Sequence, residues 1–355
     1  MTHKPSRRLF AKLQAYRLTS SRRARAVQGD ILPVAQIGVG RWGRNIARTI
    51  RDDVPGMRLV AVSSTNKDVR ELVGSECEVY PDWRSLVERF DIQAVFIAVP
   101  PRLHVEMTEA FVTAGISVFV EKPMCLSVDD GQRILEVVER RQGHVHVDHI
   151  DLFNPALVAA RNLGKSAGQL RRVSGRIGAS YDRRSDISPL WEYAPHFIAV
   201  CLDMLGTPAK ISATKLRPEP PFADDPQRSL VRLVMTFADG TEADLIAGNA
   251  MNKKSRTLTF EFERSRIVFN DQADHKLVVA TPDDGQEIPV DVPDIRPLTA
   301  SIRAFESDIR RHETSKRNVR AALEVINVLE HASKAIGEPL PNSHQIDNPQ
   351  NNGLK

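Results

Sequence analysis

Three glycines stand at the spacing G-x-G-x-x-G in Gly38-Val39-Gly40-Arg41-Trp42-Gly43. An apolar run over residues 31–37 leads into them, and Ile46, Ala47 and Ile50 then share one helical face. Alone, the spacing is common. Between a strand and a helix it predicts a dinucleotide-binding turn. The first glycine makes the tight turn, the second lets the backbone approach a pyrophosphate, and the third lets helix pack close on strand. Unpaired N–H groups at the helix N-terminus attract the anion. A chain that opens this way is committed to a parallel sheet with helices on its faces.

The residues downstream keep to that plan. Short apolar runs at Leu59–Val62, Ala94–Val99 and Ser117–Val120 alternate with segments of helical spacing, such as Val105, Thr108, Phe111 and Val112. This predicts strands buried on both faces, ending near residue 150. Beyond it, strand-like segments at 170–177, 210–216, 230–237, 241–247, 257–262 and 276–280 predict an antiparallel sheet, with Asp239-Gly240 as a hairpin turn. Helical patterns at 298–311 and 319–335 close the chain, with Gly337 and Pro339 as stop signals. The expected fold class is α/β. A doubly wound Rossmann-type parallel sheet covers residues 31–150, and an α+β domain with a mostly antiparallel open sheet covers 151–340. A length of 355 residues suits two such domains.

Charge is unevenly spread. Residues 1–30 hold eight Lys and Arg against Asp30, which leaves 41 basic and 44 acidic residues elsewhere. The basic balance belongs to this extension, so a nucleic-acid partner for the whole chain is not expected. Residues 1–30 lack an apolar signal core and read as a flexible basic tail; a transit peptide or a membrane-touching helix are the alternatives. Residues 341–355 read as a polar tail. No apolar run is long enough for a membrane span. Cys77, Cys125 and Cys201 are far apart, which points to a reducing, cytoplasmic setting.

Cofactor choice turns on the end of the second strand, where a carboxylate would bind a ribose diol and repel a 2′-phosphate. Ser64, Thr65, Asn66 and Lys67 stand there, and the first acid is Asp68. The expectation is NADP(H) in preference to NAD(H), although the same residues suit a plain turn. A fourth strand ends in Glu121-Lys122-Pro123. A lysine beyond the carboxyl end of a parallel strand could reach a carbonyl or hydroxyl over the nicotinamide; alternatively it pairs with Glu121 on the surface. Pro195 reads as the first turn of a helix whose apolar stripe is Phe197, Val200, Cys201, Met204 and Leu205. His196 would then sit at the positive helix end and be neutral, as an acid/base group or as a packing histidine. His144, His146 and Asp148 share one face of a strand, but such positions seldom close a metal tetrahedron, so no metal is expected. Asp182-Arg183-Arg184-Ser185-Asp186 could contact a phosphate or be a solvated loop.

Together, Gly38–Gly43, Val99-Pro100-Pro101-Arg102-Leu103-His104 and Glu121-Lys122-Pro123 resemble the glucose–fructose oxidoreductase / inositol dehydrogenase / MocA family. Leu190-Trp191-Glu192-Tyr193-Ala194-Pro195-His196 is similar to that family's substrate-domain motif, and the resemblance spans about residues 32–340. It implies an NAD(P)-dependent oxidoreductase of a sugar, cyclitol or nucleotide-sugar, working as a homodimer or homotetramer. Lys122 and His196 would be the acid/base groups, and Glu192 would orient His196. The cofactor would touch Gly38, Gly40, Arg41, Trp42, Gly43, Ser64, Thr65, Asn66, Lys67, Val99, Pro100, Pro101, His104, Glu121 and Lys122. The substrate would touch Lys122, Asn154, Tyr193 and His196. Two positions depart from the family: Glu192 replaces Asp, and Leu152 replaces an arginine that could grip an anion. A rival reading on the same fold is a non-catalytic dinucleotide-binding regulator or scaffold.

Overall fold

The structure is a computed structural model that describes residues 31–180, 187–222, 225, 228–280, 285–314 and 316–341. The basic extension, the polar tail after residue 341 and the Asp182–Asp186 segment lie outside the described residues.

The first sheet is built from β1 (Leu32–Ile37), β2 (Met57–Ser63), β3 (Glu78–Tyr80), β4 (Ala94–Ile97), β5 (Ser117–Glu121) and β6 (Val145–Asp148). Its order is β3-β2-β1-β4-β5-β6, parallel throughout. The order reverses between β1 and β4, and ligands of such sheets bind in the crevice beyond that point. β3 has three residues and no fully buried one, so it carried no apolar signal. Glu121 therefore ends the fifth strand, not the fourth.

Between these strands run α1 (Gly43–Asp53), α2 (Val69–Val73), α3 (Arg84–Val87), α4 (His104–Thr113) and α5 (Val128–Arg141). A 3-10 turn (Ile150–Phe153) and α6 (Pro155–Gly164) lead to the second sheet. That sheet contains β7 (Leu170–Gly178), β8 (Lys210–Leu216), β9 (Leu230–Thr236), β10 (Glu242–Gly248), β11 (Ser255–Phe262), β12 (Arg266–Asn270), β13 (Leu277–Ala280) and β14 (Glu287–Pro289), with α7 (Pro189–Leu205) after β7. All its pairings are antiparallel except β7 with β10. Gly240, at φ +84°, turns the expected hairpin between β9 and β10.

The last two helices, α8 (Pro297–Arg310) and α9 (Lys316–Ala335), turn back to the first sheet. Leu298, Ile302, Phe305 and Ile309 of α8 pack with Leu32, Val34, Phe96 and Phe119. A parallel sheet needs cover on both faces, and α8 supplies it where α1 does not reach. The α9 helix ties both halves together. Asn318 Oδ1 accepts from Val147 N (3.0 Å), and Trp191 Nε1 donates to Ser333 Oγ (2.9 Å). Among the described residues, no helix is long and apolar enough to cross a membrane.

Candidate active site

The glycine loop has the shape its spacing predicts. Gly38 has φ +84°, and a Cβ there would lie 2.4 Å from the Ala98 carbonyl oxygen. A Cβ on Gly43 would lie 2.1 Å from the Gly38 oxygen. Around Gly40 there is open space, and α1 has no acid in its first turn. This bare backbone at a helix N-terminus fits a dinucleotide pyrophosphate. A brace absent from the sequence reading is Gln36, fully buried, whose Nε2 donates to the carbonyls of Gly38 and Gly43, both at 2.8 Å.

The β2 tip is fastened to this loop. Ser64 Oγ accepts from Val39 N (3.3 Å) and Asn66 N (3.1 Å), and Asn66 Nδ2 donates to Val39 O (2.9 Å). Their side chains hold the turn, which leaves Thr65 and Lys67 exposed at the tip. Arg41 is exposed beside Gly40; Val99 and Pro100 are half-buried, and Pro101 is buried.

His104, expected among the cofactor contacts, is fully buried. Its Nδ1 faces Pro123 O (3.0 Å) and its Nε2 faces Val99 O (2.9 Å). It braces the Val99–Pro101 turn against Pro123 and has no nitrogen left for a ligand. Glu121 is likewise buried: its carboxylate accepts from Trp42 Nε1 and lies against Asp148, its register partner. Asp148 Oδ1 accepts from Ser301 Oγ (2.7 Å), and His146 Nε2 faces the same hydroxyl (3.0 Å).

Burial pushes Asp148 well above the usual carboxylate range, and the Glu121 charge adds to it. Burial also raises Glu121, against the pull of Lys122. Two adjacent buried carboxyls cannot both ionise cheaply, so the pair holds one proton. The native state thus keeps a proton that the unfolded chain releases near pH 4, and stability falls as pH rises above that point. Asp148→Asn is expected to abolish this slope and to raise stability at pH 8 relative to the parent. Urea unfolding from pH 5 to 9 reads it, and an unchanged slope would refute the shared proton.

Lys122, half-buried beyond β5, donates from Nζ to the Glu192 carbonyl at 2.9 Å. Glu192 lies one turn before His196 on α7, and the Lys122 charge acts on that histidine. The helix differs from the expectation. It starts at Pro189, so Pro195 is internal and His196 is two turns in, away from the dipole end. An internal proline costs about 3 kcal/mol, but the added turns bury Leu190 and Trp191, at roughly 1.5–3 kcal/mol for a large apolar side chain.

The carboxylate on His196 is also not the expected one. His196 Nδ1 lies 2.9 Å from Asp151 Oδ2, in the 3-10 turn, and no hydrogen bond or ion pair joins it to the Glu192 side chain among the described residues. Asp151 is 1% exposed and also receives Arg256 Nη2, from β11, at 2.5 Å. Arg256 and His196 hold Asp151 well below the usual carboxylate range despite its burial. Burial, then the Lys122 and Arg256 charges, push His196 down to about 3, against the pull of Asp151. A neutral imidazole that turns Nδ1–H to Asp151 leaves Nε2 as a free base. His149, buried near the Lys122 charge, has neither ring nitrogen in a hydrogen bond among the described residues.

Asn154 is buried and caps α6 through Oδ1, which accepts from Ala156 N (3.0 Å); Tyr193 is half-buried against the core. His146 in β6 and His144 just before it are taken up by aromatic packing. His146 stacks on Phe119 (centroids 5.0 Å apart) and His144 on Phe305 (5.2 Å).

A family model described as "Oxidoreductase family, NAD-binding Rossmann fold" matches residues 32–149. A crystal structure from Magnetospirillum magnetotacticum MS-1, itself provisionally assigned as an oxidoreductase, is 32% identical with a TM-score of 0.79, over 85% of this chain and 100% of that one. UDP-N-acetylglucosamine 3-dehydrogenase of Acidithiobacillus ferrooxidans is 25% identical over 66% of this chain and 71% of that enzyme. The scyllo-inositol 2-dehydrogenase (NAD(+)) of Bacillus subtilis is 31% identical, but only over 36% of this chain and 38% of that enzyme.

Proposed function

The chain belongs to the glucose–fructose oxidoreductase / inositol dehydrogenase / MocA family, and from that premise we propose that it moves hydride between a nicotinamide and a carbinol carbon of a sugar, cyclitol or nucleotide-sugar. The nicotinamide, when bound, accepts or returns the hydride. His196 Nε2 takes the hydroxyl proton as the carbon is oxidised, because its Nδ1 proton is committed to Asp151. Lys122 steadies the oxygen on which negative charge grows. Asp151 orients the imidazole and offsets the imidazolium that forms, and Arg256 keeps Asp151 ionised.

The observation that carries the reading is the bond from Lys122 Nζ to the Glu192 carbonyl, one helical turn from His196. It sets the Lys122 ammonium close enough to the neutral His196 imidazole for its charge to act on it, which supports a shared reaction site. A pure dinucleotide binder needs neither. NADP(H) is the preferred cofactor in this reading, because the β2 tip offers Thr65 and Lys67 and no carboxylate. Assembly as a homodimer or homotetramer belongs to the same reading.

The test is direct. Protein loaded with NADP+ or NAD+ is given a panel of sugars, cyclitols and nucleotide-sugars while nicotinamide absorbance is followed. At least one member is expected to reduce the cofactor, and titration is expected to show tighter NADPH than NADH binding. A bound cofactor that stays oxidised across the panel would favour the regulator reading instead.

A further inference from the structure

The arginine that the family resemblance would place at Leu152 is missing, yet a guanidinium reaches the same turn from another element. Arg256, on β11, meets Asp151, the residue before Leu152, and its Nη2 lies 3.5 Å from His196 Nδ1. Arg256 also lines a cavity of about 280 Å³. Asn45, Arg48 and Thr49 line the same cavity from α1, at spacings that put all three on one helix face. Asn154 and Arg296 complete its polar wall.

The charge of this cavity is unbalanced. Three guanidinium groups line it against one carboxylate, Asp271, which has Lys276 Nζ 3.5 Å away. Arg296 is paired with Asp53 and Arg256 with Asp151, while Arg48 makes no ion pair among the described residues. A guanidinium has five N–H donors, so one carboxylate does not exhaust Arg256 or Arg296. Converging cations in a concave space focus a field that an anion relieves. Arginine is also the side chain suited to planar, two-point binding of phosphate and carboxylate.

We propose that this cavity seats a phosphoryl or carboxylate group carried by the substrate, gripped by Arg48 and Arg296. Arg256, one of its lining residues, joins the anion seat to the Asp151–His196 pair. The substrate is then an anionic sugar, such as a sugar phosphate, nucleotide-sugar or uronic acid, and not a neutral cyclitol. This rests on the proposed reaction site at Lys122 and His196.

The experiment is calorimetry on the full chain with saturating NADP+, so that the cofactor's own phosphates are already seated. The probes are inorganic pyrophosphate, UDP, glucuronate and myo-inositol. At least one anion is expected to bind ten times or more tighter than myo-inositol, and the stronger probe tells phosphoryl from carboxylate. Arg48→Met should weaken that anion about tenfold or more, the scale of one charged hydrogen bond, and Arg48→Lys should recover part of the loss. Three results would overturn the proposal. The anions bind no better than myo-inositol, or none binds at millimolar concentration, or Arg48→Met and Arg296→Met, folded by circular dichroism, bind them as the parent does. Arg48-dependent anion binding with no hydride transfer to or from any sugar would leave the anion seat standing and defeat the oxidoreductase reading.

Discussion

His196→Ala is expected to lower kcat by about a thousandfold on any substrate that reduces the cofactor, within the range of roughly 10²–10⁴ for a positioned acid/base group. Lys122→Met should cost about as much, because it removes the cation beside the reacting oxygen. Asp151→Asn should lose about a hundredfold, acting through the imidazole that it holds. It leaves Arg256 uncompensated beside the imidazole and weakens the hold on Nδ1–H. The pH profile carries a separate signature. His196 sits at about 3, so its working neutral form persists far below the usual histidine range. No acidic limb from His196 is expected above about pH 4, and one should move toward neutrality in Arg256→Gln, where a repelling cation is gone. Near-native turnover in both His196→Ala and Lys122→Met at saturating substrate would end the assigned roles.

Acid should unfold the protein well above the pH at which carboxylates titrate. Burial pushes His144 down to about 4, His146 to about 3 and His149 to about 4, with His196 at about 3. The unfolded chain takes up these protons from about pH 6.5 downward, while the native state refuses them. Stability is therefore lost as pH falls through the window from about 6.5 to 4. At pH 5 each histidine costs about 2 kcal/mol, from the linkage of 1.36 kcal/mol per pKa unit. Four together approach 8 kcal/mol, comparable with the roughly 5–15 kcal/mol that holds a domain folded. The Glu121–Asp148 pair runs the other way, so greatest stability should fall near neutrality. Thermal unfolding between pH 7.5 and 4.5 tests this, and His144→Phe, which keeps the stacking against Phe305, should flatten the slope by about one proton. A midpoint that does not move between pH 7 and 5 would show that these rings charge without unfolding.

Contiguous chemistry was legible in the sequence. The glycine loop, the alternation of buried strands with helices, the Asp239-Gly240 hairpin and the Glu-Lys-Pro strand end each depend on a few neighbouring residues. The turn, the period or the phosphate geometry is local, so adjacent side chains encode it. Short polar strands such as β3 and β14 were not legible, because their pairing comes from the sheet and not from their own hydrophobicity. The start of α7 was misplaced by six residues for a related reason: Pro195 is a strong local breaker, and only the burial of Trp191 against α9 overrides it.

The electrostatics of the site belong wholly to the tertiary structure. Glu192 has the sequence spacing to serve His196, yet Asp151, 45 positions earlier, makes the contact. Arg256 reaches the same carboxylate from 105 positions away. Which charges meet is decided by where a 3-10 turn, a helix and a strand converge. Sequence determined that a lysine and a histidine were present with a dinucleotide loop, since each lies in its own short motif. Folding decided which carboxylate holds the imidazole and what neutralises it, because Coulomb and desolvation energies depend on distances through space that no spacing along the chain records.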